Sequence, residues 1–408
     1  MTLTYPQLLR DLHVSFASAA RHKGKMSYVR HFRSQLRMNL ACLALVLILR
    51  CYVPLPSRCF IVFHPKQREV FAAQFPDRVV HHLYFYYTHW LYEATFIRDS
   101  FSCIKNRGTL DGVLRLSEHI RKESQNWTRE CYVLKLDIRG YFMHINRRKL
   151  LGICLDTLSK MATHKMPKHL RHGSVVTWEQ ALDMDFVRWL TEKIVMLNPR
   201  DNCIICGSEE DWIGLDPAKS MRWLEEGLGL PIGNLTSQLF SNVYLNVLDQ
   251  FMKRVLKCRH YGRYVDDFFV VSCDREWLLS LVPRIRSFLK SELGLDLHMG
   301  KVRICRASQG VEFLGAYVKP FRIYTSNATL ERIRQNLSEM DFTDREAVGR
   351  TVNSYLGIMS KTASYNLRRR LFFRQEFLRI GSFDNRMTKF TLHGHRTRRL
   401  HRYQQHYL

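Results

Sequence analysis

Hydrophobic and polar positions along the chain follow two different periods, and the switches between them outline the elements. Residues 1–50 hold few Gly or Pro and set basic residues (Arg21, His22, Lys23, Lys25) between apolar stretches, which predicts helices ended by Pro54 and Pro56. The run "LACLALVLIL" (40–49) reads as a buried helix, being about half the length of a membrane span. "CFIVFHPKQREVFAA" predicts two short strands around a turn at Pro65. The aromatic stretch 77–96 predicts a helix, more core than base-stacking platform, and a second helix follows a turn at Arg107-Gly108. "CYVLKLDI" (131–138) alternates as a strand, with Lys135 and Asp137 on one face and Leu134, Leu136 and Ile138 on the other. Residues 155–225 vary in texture around a helical middle at 178–195. "GLPIGNLTSQLFSN" (229–242) begins as a glycine-rich loop and continues from Thr236 as an amphipathic helix. An amphipathic helix follows at 275–294, then strand-like "LDLHMGKVRI" and "VEFLGAYVKP", and from about Asn327 the chain is helix-forming and basic. Strands interleaved with helices and followed by a helical end predict an α+β body with a C-terminal helical module.

Composition narrows the class of partner. The chain has 408 residues, 46% hydrophobic and 12% aromatic, which is the composition of a globular protein with a sizeable core. Lys and Arg number 63 against 37 Asp and Glu, a net charge of +26 that seeks a polyanion, most commonly nucleic acid. Eleven cysteines include one C-x-x-C pair, Cys203 and Cys206. A zinc site there needs further ligands, with His164, His169 and His172 upstream as the candidates, and reduced cysteines are the favoured reading. No export or membrane segment is evident, so a cytoplasmic location is expected. The glycine-rich loop lacks the lysine of a nucleotide-hydrolase phosphate loop, so its role lies elsewhere.

The carboxylates supply that role. In "RYVDDFFVV" two adjacent aspartates stand between apolar and aromatic residues. A continuous strand would bury one of them unpaired, so a hairpin turning at Val265-Asp266-Asp267 is expected, with both carboxylates on an exposed tip. Asp137, ending its own strand, is the natural third ligand for a cation. Carboxylate oxygens suit Mg²⁺, and two such ions about 3.5–4 Å apart activate a 3′-hydroxyl and stabilise a leaving pyrophosphate.

These residues carry a family resemblance. "YVDD" (264–267) resembles the Y-x-D-D signature of reverse transcriptases, and "LKLDIRGYF" (134–142) resembles their first catalytic aspartate segment. The resemblance spans about residues 65–365. It implies a right-hand polymerase fold: an N-terminal helical extension (1–55), fingers and palm (56–325), and a basic helical thumb and tail (326–408). It further implies Asp137, Asp266 and Asp267 as catalytic metal ligands for two Mg²⁺ ions, joined by Ile138, with dNTP substrates. "PKQRE" resembles the fingers segment that meets the triphosphate, giving that role to Lys66 and Arg68. "KNRGT" resembles the next fingers block, so Lys105 and Arg107 contact nucleic acid or serve as ordinary turn cations. Phe142 matches the aromatic gate that excludes a ribose 2′-hydroxyl. Lys301 stands where the family often has a lysine that protonates pyrophosphate. "EFLGAYV" resembles the primer grip and places Gly315 at template and primer.

The loop narrows the subclass. Most reverse transcriptases carry Pro-Gln-Gly followed by Ser-Pro, whereas here Pro231-Ile232-Gly233 is followed by Ser237-Gln238. "IGNLTSQLF" is similar to the form in reverse transcriptases of diversity-generating retroelements, and "NSYLGIMSKTASYNLRRRL" resembles their thumb. Ile232, Gly233 and Gln238 are then nucleotide-binding positions. Ile232 either packs on the body or, replacing a side-chain amide, lowers discrimination. The resemblance implies a template-repeat RNA and a small oligomeric accessory variability determinant as partners, with mutagenic copying at template adenines. The alternatives are a retron- or abortive-infection-type reverse transcriptase and a catalytically inactive RNA-binding scaffold. The C-terminal "HRTRRLHRYQQHY" suits RNA or a protein partner.

Overall fold

A computed structural model describes residues 2–63, 66–170 and 174–394. The expected turn at Pro65, the candidate ligand His172 and the basic tail from 395 onward lie outside the described residues. By internal packing the chain divides into two compact units. Of the described residues, the first holds those in 2–108, 134–270 and 274–303, and the second those in 109–133, 271–273 and 304–394.

In the first unit, helices α1 (Tyr5–Ala19), α2 (Ser27–Ser34) and α3 (Leu36–Ile48) form the N-terminal segment. The apolar run in α3 is a half-buried helix, not a fully buried one. The 3.6-residue period turns Leu40, Leu43, Ala44 and Leu47 inward and leaves Leu45 and Leu49 exposed. Strand β1 (Ser57–Val62) pairs antiparallel with β2 (Arg68–Ala72), as the alternation of "CFIVFHPKQREVFAA" predicts. Helix α4 (Phe75–Glu93) carries Pro76 in its first turn, where a missing N–H costs nothing, and buries Val79, Val80, Leu83, Tyr84, Leu91 and Tyr92. It is core, as expected.

Strand β3 (Tyr132–Asp137) leads through short α6 (Tyr141–His144) to α7 (Arg147–Ala162), which is capped by Asn146 accepting from the Lys149 N–H. Helices α8 (Trp178–Ala181) and α9 (Met184–Val195) follow. Strand β4 (Cys203–Ile205) joins the first sheet, of order β2-β1-β4, pairing parallel with β1. The C-x-x-C segment is therefore an edge strand beside Cys59. All eleven cysteines are free. Helix α10 (Leu235–Gln250) runs on as a wide π-turn, and β5 (His260–Tyr264) and β6 (Asp267–Ser272) form the predicted hairpin. α11 (Arg275–Phe288) precedes β7 (Arg303–Arg306), which begins at the last residue of this unit, and the second sheet has the order β5-β6-β3-β7. Placing β3 next to β6 sets the three aspartates at one end of adjacent strands.

The second unit includes α5 (Thr109–Glu123) and a three-stranded sheet of β8 (Val311–Phe313), β9 (Ala316–Lys319) and β10 (Arg322–Thr325). Helices α12 (Asn327–Ser338), α13 (Arg345–Met359), α14 (Tyr365–Phe372) and α15 (Gln375–Ile380) close around Ile333, Val352, Leu356, Met359 and Phe372. The helical end carries a small hairpin, β11 (Gly381–Phe383) with β12 (Phe390–Leu392), that its basic, helix-forming composition did not signal. Among the described residues no helix is long and apolar enough to cross a membrane.

Candidate active site

The hairpin turns through two residues, Val265 and Asp266, and Asp267 already opens β6. Val265 takes φ +55°, a left-handed conformation that a β-branched residue rarely adopts. Gly262 sits where a Cβ would meet Phe269 Cζ at 2.7 Å and Phe101 Cε2 at 2.9 Å, so only glycine lets these rings close over β5. The tip is not exposed as expected: Asp266 and Asp267 are half-buried. Flanking strands that bury Phe268, Phe269 and Val270 draw the turn into the sheet edge.

Asp137 ends β3 and is 7% exposed. Its carbonyl accepts from the His298 N–H at 2.8 Å, and the Arg139 N–H donates to the Asp296 carbonyl at 2.9 Å. This pairing, together with the Ile138–Leu297 bridge, carries a tight turn that sets Lys301 Nζ 2.9 Å from Asp137 Oδ2. The three carboxylates repel. Burial first, then the charge of Asp137, raises the Asp266 carboxyl. Burial, then the charges of Asp266 and Asp137 and a hydrogen bond to Asp137, push Asp267 up to about 7. Burial works against the Lys301 ammonium, but its hydrogen bond to Asp137 and the neighbouring charges outweigh that and hold its pKa above the usual value. Lys301 and Arg68 act on Asp266, and Lys135 on Asp267, as the compensating cations.

Such a donor set fits a hard divalent cation: oxygen ligands crowded enough to resist ionising together, with too few cations to neutralise them. Among the described residues no three His, Cys, Asp or Glu are arranged to hold a metal unaided, and this applies to Cys59, Cys203 and Cys206 as well. For Mg²⁺ that is expected, since it takes one or two carboxylates and completes its shell with water and substrate phosphates.

The glycine-rich loop ties the nucleotide-side candidates together. Ile232 O accepts from the Phe71 N–H at 2.9 Å, Leu230 N donates to Phe142 O at 2.9 Å, and Asn234 Oδ1 accepts from the Ala73 N–H at 3.0 Å. Gly233, at φ +123°, approaches β2 so closely that a Cβ would stand 2.8 Å from Val70 Cγ1. The loop thus bridges the β2 strand bearing Arg68 and the segment bearing Phe142. Ile232 is half-buried against Cys59, Phe71, Met143 and Trp212. Lys66, Arg68 and Gln238 are exposed, Phe142 is half-buried and Ile138 buried. Arg107 donates to the carbonyls of Ile97 (2.9 Å) and Ser100 (3.1 Å), organising its own loop, while Lys105 is exposed. In the second unit, Gly315 stands at φ +79° with its carbonyl accepting from Ser326 N and Thr329 Oγ1.

Sequence reasoning passed over two buried groups. Glu69, beside Arg68, accepts from Trp212 Nε1 (2.8 Å), Ser220 Oγ (2.8 Å) and Met221 N (2.6 Å), fastening residues 212–221 to β2. Asp249, at the end of α10, pairs with Arg263 beneath the Val265–Asp266 turn. For Asp249 a charged residue inside an apolar run was the available signal, whereas Glu69 follows the polar residues 66–68 and nothing local announced its burial.

Comparison with known proteins gives the class. A profile of the family described as "Reverse transcriptase (RNA-dependent DNA polymerase)" matches residues 78–318. The chain belongs to this family, with its α+β, right-hand polymerase fold; the family works with divalent metal ions and deoxynucleoside triphosphates. Similar solved structures include telomerase of Candida albicans in complex with a fragment of telomeric RNA (12% identity, TM-score 0.47, 80% of this chain and 57% of that one). Another is apo telomerase of Candida tropicalis truncated of its C-terminal domain (11% identity, TM-score 0.46, 66% of this chain and 55% of that one). The chain thus spans little more than half the length of these telomerase chains. No curated protein sequence matches it.

Proposed function

We propose that this protein is an RNA-directed DNA polymerase of a diversity-generating retroelement, copying a template-repeat RNA into cDNA with errors at adenines. The observation that carries the polymerase reading is the convergence of Asp137, Asp266 and Asp267 on one sheet edge, with Lys301 2.9 Å from Asp137 and Arg68 within electrostatic reach. The three aspartates would hold Mg²⁺. Bound there, the metal would lower the pKa of a primer 3′-hydroxyl and take up charge on the departing pyrophosphate. Lys66 and Arg68 orient the triphosphate, Phe142 rests against the sugar, and Lys301 offers a proton to the leaving group. This reading gives Lys105 and Arg107, in the first unit, and separately Gly315, in the second, contacts with template or primer.

The subclass rests on the loop. An apolar Ile232 replaces an amide that would hydrogen-bond to substrate, and an apolar wall rejects mismatches less strongly than unpaired polar groups do. The template-repeat RNA and an oligomeric accessory protein are the partners this reading calls for. Primer extension on an RNA template with Mg²⁺ and dNTPs, with and without such a partner, tests it. Wild type extends, Asp266→Asn does not, errors gather at template adenines, and Ile232→Gln reduces them. Extension with evenly spread errors unchanged by Ile232→Gln leaves a reverse transcriptase of another kind. RNA binding without extension leaves a scaffold.

A further inference from the structure

The strained residue of the catalytic turn has an identifiable restraint. Val265 holds φ +55°, a strained conformation for a β-branched residue that persists only where its surroundings impose it. Its carbonyl belongs to the peptide whose N–H is that of Asp266, so the orientation of this peptide sets where the Asp266 carboxylate starts. Arg263 Nη1 donates to that carbonyl at 3.0 Å.

The guanidinium is itself fixed. Arg263 is 1% exposed and Asp249 fully buried, and they form a two-pronged pair: Nε to Oδ1 at 2.8 Å and Nη2 to Oδ2 at 2.6 Å. Tyr261 OH adds a third hydrogen bond to Asp249 Oδ1 at 2.6 Å. Ser100 Oγ and Asn242 Oδ1 accept from the remaining prongs at 3.3 and 3.4 Å. The Arg263 backbone is held as well, donating to the Asp99 carbonyl and accepting from the Phe101 N–H, both at 2.9 Å. A buried ion pair contributes little net stability over an apolar replacement, so stability alone is a poor reason for this arrangement. A planar fork that reaches a carboxylate and a turn carbonyl together is something arginine supplies and lysine does not.

We infer that Arg263, anchored by Asp249, is a positioning residue that clamps the Val265 carbonyl and so fixes the Asp266 carboxylate relative to Asp137. The inference rests on the polymerase reading for its kinetic consequence, but the clamp itself is a structural statement with its own readout. An error of about 1 Å in placing a reacting group costs on the order of a hundredfold in rate.

The test compares wild type, Arg263→Lys, Tyr261→Phe and the double variant Arg263→Lys/Val265→Gly. Each is examined for melting temperature, kcat and KM for dNTP, and amide hydrogen exchange across 262–268. Arg263→Lys is expected to lower kcat by about ten- to a hundredfold with KM for dNTP unchanged, and to speed exchange at the turn. Tyr261→Phe, which weakens the anchor at one remove from the turn carbonyl, is expected to lower kcat in the same direction but less than Arg263→Lys does. Glycine at 265 adopts φ +55° without strain, so the double variant recovers part of the lost kcat. Arg263→Lys with wild-type kcat and a lowered melting temperature would overturn the inference, as would exchange unchanged at the turn. If wild type fails to extend any primer, the functional reading falls. The exchange comparison then still decides the clamp.

Discussion

At the scale of single residues, the aspartates show a site held at a cost to the fold. In the folded protein Asp267 is pushed up to about 7 by burial and by Asp266 and Asp137, against an ordinary carboxylate value near 4 when unfolded. The folded state therefore binds the proton more tightly. Below about pH 4 both states are protonated and the group is neutral in the balance. As pH rises from about 4 towards 7, unfolding releases a proton that the folded state retains, so stability falls across that window and levels off once the folded group ionises too. In EDTA, Asp267→Asn is expected to raise the melting temperature at pH 8, and in a separate assay with Mg²⁺ to abolish polymerisation. The difference should shrink steadily as the pH is lowered towards 4, as followed by thermal denaturation at each pH. A variant no more stable than wild type at pH 8 would mean the crowding of the carboxylates is relieved without metal.

At the scale of elements, the nucleotide side of the site depends on β2 being fastened to residues 212–221. Glu69 does this with three hydrogen bonds and no exposure to solvent, beside an Arg68 that is exposed. Glu69→Gln keeps one acceptor but turns an NH₂ towards a donor on the other side. The expected loss is about 1.5–3 kcal/mol of stability, read by urea denaturation, because the bonds are charge-assisted and the site is dry. KM for dNTP should rise more than kcat falls, since the strand bearing Arg68 loosens while the aspartates stay in place. The same logic explains the glycine-rich loop: its backbone, through Ile232 O and Leu230 N, ties β2 to Phe142, and Gly233 permits the close approach.

At the scale of the whole molecule, +26 charges set the character of nucleic-acid binding. Each phosphate neutralised releases counterions. For some six to ten contacts, affinity for duplex should fall by roughly 10³–10⁵ between 50 and 200 mM salt. Asp266→Asn should show the same salt slope as wild type in fluorescence anisotropy, because the carboxylates contribute nothing to counterion release. A shallow slope would show that the excess charge faces elsewhere.

Much of this was written locally. The strands, the α4 helix, the hairpin and the family of the chain follow from alternation, from a D-D pair between apolar runs and from motif residues adjacent in sequence, since side-chain period and turn chemistry are short-range properties. What the tertiary structure alone decided depends on groups distant in the chain. Only the sheet order sets Asp137 beside Asp266 and Asp267 and half-buries a turn expected to be exposed. Only packing reveals that Glu69 and Asp249 are buried and engaged, and that Cys203 opens an edge strand that stops just before Cys206. A charge inside an apolar run announces that it needs a partner, but the partner is chosen by the fold. The "YVDD" turn is legible in nine residues. The arginine that holds it in shape is legible only once α10 and the hairpin have met.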